Sequence, residues 1–122
     1  MTEVYFVRHA ESDDTNHDDL TRGLTEKGLR DRVLVSGYLD DKGITAVLSS
    51  PCRRAVETVR PFAEARGLEI GLVEDFRERR VDSGGIEDFD AFCRRQWSDF
   101  TYKLSDGETL GEVQERDIRC LL

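Results

Sequence analysis

Apolar and polar positions fall in blocks along this chain. Val4-Tyr5-Phe6-Val7 is an unbroken apolar run, and Ile44-Thr45-Ala46-Val47-Leu48 is nearly one. Short runs bounded by polar residues predict strands buried on both faces, as in a parallel sheet. Between them Leu29, Val33, Leu34 and Tyr38 recur near helical spacing. Thr25 is placed to cap that helix and Lys42-Gly43 to end it. Strand, helix, strand at these lengths predicts a right-handed βαβ unit with parallel strands.

Ser50 and Pro51 then predict the N-cap and first residue of a second helix, which carries Ala55, Val56 and Val59. Pro61 is expected to kink or interrupt it, because proline lacks a backbone donor and crowds the preceding turn. Leu68 to Val73 is a weaker third strand, broken by Glu69 and Gly71. Phe76 to Val81 is charged and irregular, and Gly84-Gly85 allows a turn. Phe89, Phe92, Cys93, Trp97 and Phe100 share one helical face, read as core packing rather than a cofactor box. Thr109 and Glu112 form a capping box before a last helix with Leu110, Val113, Ile118, Leu121 and Leu122.

The chain has 122 residues, enough for one domain with one core. At 38% apolar and 36% charged it belongs with folded globular chains, not disordered ones. The net charge of −8 opposes a broad nucleic-acid or anionic-membrane surface. An anionic substrate would therefore need a local cluster of Arg and His. Cys52, Cys93 and Cys120 are odd in number and lack CxxC spacing, and no apolar stretch suits a bilayer or a signal peptide. The expected setting is cytoplasmic, with reduced thiols.

Arg8 and His9 follow the first run directly, where open α/β sheets place their ligands. They pair a fixed cation with a group able to act as a neutral nucleophile. In the βαβ reading, Arg53 and Arg54 after the second run and Glu78 after the third reach the same sheet edge. Guanidinium groups around an imidazole suit a phosphoryl group, since each can fork onto phosphate oxygens, and a helix N-terminus at Ser50 adds a favourable dipole. The plain alternative is a strand end with two solvated polar residues. His17-Asp18-Asp19 looks like a metal-ligand run, but neighbouring loop residues rarely converge on one ion and no second cluster exists.

Five elements, in order, resemble the histidine phosphatase, or phosphoglycerate mutase-like, superfamily. They are Val7-Arg8-His9-Ala10-Glu11-Ser12, then Leu24-Thr25 with Gly28, then Ser49-Ser50-Pro51 with Arg54-Ala55 and Thr58, then Phe76-Arg77-Glu78, then Gly107-Glu108-Thr109 with Val113 and Arg116. The resemblance implies a three-layer α/β/α domain with a mostly parallel central sheet, here spanning residues 1–122 as its N-terminal part. It implies phosphomonoester hydrolysis through a phosphohistidine on His9. Arg8 and Arg54 would hold phosphate oxygens, Glu78 would donate and accept the proton, and Asn16 would reach the phosphate from its loop. No metal or cofactor is needed, since the arginines supply the charge. The expected partner is a small phosphorylated substrate or inorganic phosphate. Arg53 reads as a solvated helix residue, and Glu78, flanked by Arg77, Arg79 and Arg80, also fits a surface ion pair.

One departure stands out. The family uses a second histidine, in a His-Gly pair on a later strand, whereas this chain holds only His9 and His17. Loss of one charge-stabilising donor costs on the order of 10²-fold or more in rate, so weak or absent activity is expected of the 122-residue form. Three explanations stay open: a truncated enzyme, a homodimer or swapped oligomer, or a degenerate, non-catalytic phosphate-binding module. A phosphoglycerate mutase ranks below a phosphatase, because the chain shows no room for substrate-enclosing additions.

Overall fold

The computed structural model describes residues 1–81, 86–104 and 106–121. Two compact units divide the chain, Met1–Glu74 and Asp75–Leu122. Gly84, Gly85 and Leu122, to which the sequence reading gave a turn and a helix position, lie outside the described residues.

The first unit is an α/β arrangement. Its elements are α1 (Glu26–Leu39), β1 (Val47–Ser49), α2 (Arg53–Ala65) and β2 (Ile70–Leu72). The two strands pair in parallel, with Val47 opposite Ile70 and Ser49 opposite Leu72, so β1-α2-β2 is a βαβ unit. Its core is Leu39, Val47, Phe62 and Ala63, with Tyr5, Val35, Ile44, Val59, Leu68 and Ile70 packed around it. Helices α1 and α2 pack together over this core.

Thr25 caps α1 as expected, its hydroxyl accepting from Gly28 N–H. Two expectations fail. Residues 4–7 form no strand: Val4 is 58%, Phe6 79% and Val7 38% exposed, and only Tyr5 joins the core. An apolar run becomes a strand only when a neighbour supplies the ladder, and among the described residues the sheet consists of β1 and β2, with no ladder to this run. The second helix starts at Arg53 with Cys52 as N-cap, not at Pro51 after Ser50. The first helical N–H is already satisfied, since Arg53 N donates to Leu20 O at 2.9 Å.

Pro61 neither ends nor interrupts α2, which runs on to Ala65. Its missing N–H would have served the carbonyl of Glu57, four residues back. Arg32 of α1 serves that carbonyl instead, with Nη1 at 2.9 Å.

The second unit carries α3 (Phe89–Ser98) and α4 (Leu110–Leu121). The Thr109–Glu112 capping box forms in both directions, at 2.9 and 3.2 Å. The aromatic stripe is less buried than expected: Phe92 is in the core, whereas Phe89, Trp97 and Phe100 are 50%, 67% and 41% exposed. Gln96 takes the inner position one turn from Phe92, its amide donating to the carbonyls of Tyr102 and Glu108. An amide there satisfies two loop carbonyls that a further aromatic would leave bare.

Candidate active site

In the first unit, Ala10 and Arg54 are joined through one hydroxyl. Ala10 N–H donates to Thr58 Oγ1 at 3.0 Å, and Thr58 Oγ1 donates to the Arg54 carbonyl at 2.8 Å. Thr58 lies one turn after Arg54 and is 1% exposed, so this tie fixes the backbone beside His9 to the first turns of α2. His9 is half-buried, with Nδ1 2.7 Å from Ala10 O. A carbonyl can only accept, so Nδ1 carries the hydrogen and, in the neutral ring, Nε2 keeps its lone pair.

The segment after His9 is braced against the start of α1. Thr25 N–H donates to Glu11 O at 3.0 Å, and Thr25 Oγ1 donates to Glu11 Oε2 at 2.9 Å. Ser12 and Leu24 form an antiparallel bridge. A Cβ on Gly28 would lie 2.3 Å from Glu11 O, so only glycine lets the helix approach this closely. This is the physical content of the Leu-Thr-x-x-Gly element. Leu24 N–H is held in turn by Glu57 Oε2 at 3.1 Å. Burial pushes the Glu57 carboxyl up, but hydrogen bonds from Arg53 and Leu24 N–H outweigh it and hold it below the usual range.

Arg54 is buried, at 2% exposure. Its Nη1 donates to Asp19 O at 2.6 Å and its Nη2 to Asp19 Oδ1 at 2.9 Å. Asp19, set aside above as part of a false metal run, is thus the residue that holds one side of this guanidinium. Asn16 acts within its loop: Oδ1 accepts from Asp18 N–H at 2.9 Å, and Nδ2 lies 3.5 Å from Thr21 Oγ1. Arg8 is exposed and lines a shallow groove with Phe6, Val7, Leu34 and Tyr38 that includes neither His9 nor Arg54. Arg53 pairs with Glu57 at 2.6 Å on the outside of α2, as a solvated helix residue should.

In the second unit Glu78 is exposed, while its neighbours Arg77 and Arg79 are half-buried. Arg77 reaches Glu108 at 2.5 and 3.3 Å, and Arg79 Nη2 lies 3.2 Å from Cys93 Sγ. Glu108 belongs to the Gly107-Glu108-Thr109 element, and the fold makes it the acceptor for the Arg77 guanidinium. Among the described residues no group of His, Cys, Asp or Glu is arranged to hold a metal ion, and no helix is long and apolar enough to cross a membrane.

Comparison with known proteins adds the following. The sequence profile of the histidine phosphatase superfamily (branch 1) matches residues 4–121. The probable phosphoglycerate mutase GpmB of Salmonella arizonae is 32% identical over 95% of this chain and 60% of its own length. Its counterpart in Yersinia pestis is 36% identical over 71% of the chain and 41% of its own length. Among solved structures, mycobacterial glucosyl-3-phosphoglycerate phosphatase in complex with inorganic phosphate superimposes with a TM-score of 0.77 and 25% identity, covering 93% of this chain and 57% of that one. The α-ribazole phosphatase of Shigella flexneri, at 21% identity and a TM-score of 0.72 over 94% of this chain and 63% of that one, shares the fold. The chain spans about 60% of the length of the first curated relatives it matches. With a profile match across nearly every residue and this α/β fold, the chain belongs to branch 1 of the histidine phosphatase superfamily.

Proposed function

We propose that this protein hydrolyses phosphomonoesters through a phosphohistidine formed on His9. The observation that carries the reading is the Ala10–Thr58–Arg54 tie, together with a His9 ring whose Nδ1–H is engaged by Ala10 O. In the proposed first step the Nε2 lone pair attacks phosphorus and the P–O bond to the leaving alcohol breaks, its oxygen taking a proton from Glu78. In the second, water gives a proton to Glu78 and attacks phosphorus. The N–P bond then breaks, releasing phosphate and restoring the neutral imidazole. Arg8 and Arg54 are assigned to the phosphoryl oxygens, where two guanidinium groups match the charge that an in-line transfer spreads over them, and Asn16 to the same phosphate. Residues 1–122 are assigned to a single histidine phosphatase domain. The phosphate-bound mycobacterial relative supports a phosphorylated ligand.

The test is release of inorganic phosphate from an aryl phosphate by the full-length protein. The reading expects turnover that disappears in His9→Ala, and unchanged turnover in that variant overturns it. Phosphate binding without turnover would favour the non-catalytic module. Since the curated relatives are named probable phosphoglycerate mutases, a mutase is the second reading, and isomerisation of phosphoglycerate faster than its hydrolysis would favour it. A homodimer or swapped oligomer covering Val4, Phe6 and Val7 is part of the proposal, and a monomeric mass in light scattering removes it.

A further inference from the structure

Glu108 receives more hydrogen bonds than its place in a motif explains. Its carboxylate accepts from Arg77 Nη1 and Nη2, from the backbone N–H of Arg80 at 2.7 Å, and from Arg116 Nε at 3.1 Å and Nη2 at 3.4 Å. Its own N–H donates to the Arg80 carbonyl at 2.7 Å. Gly107 presses the same backbone so closely that a Cβ there would lie 2.0 Å from Val81 O. Arg116, 5% exposed, also donates from Nη1 to the carbonyl of Asp75. One carboxylate therefore grips the segment on both sides of residue 78: the side chain of 77 before it and the backbone of 80 after it.

Along 77–80 half-buried and exposed positions alternate, as they do when successive side chains leave opposite sides of an extended backbone. Arg77 and Arg79 turn toward Glu108 and Cys93, and Glu78 turns outward. Burial alone would push the Glu108 carboxyl up, but hydrogen bonds from Arg77, Arg116 and Arg80 N–H outweigh it and hold it at about 2. The grip stays ionised through the neutral range.

We infer that Glu108 is a positioning residue for Glu78, aiming the proton-transferring carboxyl by clamping Arg77 and Arg80 on either side of it. The inference rests on the proposed role of Glu78 as the acid. A misaimed acid harms only reactions whose leaving group needs a proton. In the full-length protein, Glu108→Gln should therefore lower kcat/KM for an alkyl phosphate by roughly 10- to 100-fold, while p-nitrophenyl phosphate, whose leaving group departs without a proton, changes little. In a Glu78→Gln background, Glu108→Gln should cost the alkyl phosphate nothing further.

Equal losses on both substrates, or additive losses in the double variant, overturn the positioning role and leave the phosphatase reading standing. Absence of leaving-group dependence in Glu78→Gln alone, or of any turnover that depends on His9, overturns the reading beneath it and the inference with it. Should Glu108→Gln fail to fold, Arg77→Lys, which trades the two-pronged contact for a single one, carries the same expected pattern in weaker form.

Discussion

A proline inside a helix leaves one carbonyl without its partner, and in α2 a single arginine from α1 restores it. Arg32→Ala should strip the Glu57 carbonyl of its donor and cost about 1–2 kcal/mol in urea denaturation. Pro61→Ala returns a backbone N–H to that place, so the loss from Arg32→Ala should shrink in that background. Equal losses in both backgrounds would remove this account of how the helix passes Pro61. Gly28 is a second residue whose identity follows from distance. Gly28→Ala forces Glu11 O away from 2.3 Å and should destabilise the protein by about 1–3 kcal/mol, read as a lower thermal midpoint. It should also weaken phosphate binding, since the displaced backbone follows His9 by two residues. Glycine could be placed there from the motif, but its reason appears only when helix and loop meet.

At the scale of elements, what depended on nearby residues was legible and what depended on distant ones was not. The caps at Thr25 and Thr109 are contacts over three residues, and both formed where the sequence placed them. Thr109→Ala should cost about 1 kcal/mol in urea denaturation, with Thr109→Ser nearly neutral because the hydroxyl remains. The start of α2 departs from the Ser50-Pro51 expectation because Leu20, more than thirty residues earlier, takes the N–H of Arg53. The run at residues 4–7 forms no strand, since apolar character alone says nothing about which strand would pair with it. The same division holds within each unit. Arg-His and Ser-Pro-x-x-Arg spacing singles out His9 and Arg54 as candidates, whereas the contact of Asp19 with Arg54 in the first unit, and that of Glu108 with Arg77 in the second, come from the folded chain. A buried arginine needs an acceptor, and the only earlier sign of one was the acidic stretch itself.

For the molecule as a whole, Glu108 ties stability to pH. Its carboxyl sits at about 2 when folded, below the ~4.3 of a free glutamate. The unfolded chain therefore takes up the proton more readily, and the stabilisation is present above the unfolded value and lost as pH falls from ~4.3 toward about 2. Urea midpoints should drop across that window, and Glu108→Gln should be less stable at neutral pH and lose that part of the slope. An unchanged slope would mean that other carboxyl groups govern acid unfolding. The central claim concerns His9, and trapping the phosphoryl group tests it most directly. The full-length protein is mixed briefly with an aryl phosphate, quenched in alkali, and mapped by mass spectrometry. The account predicts a phosphoryl adduct on His9 that survives alkali, is lost in acid and is absent from His9→Ala. Substrate consumed with no such adduct, or an adduct on another residue, would contradict it.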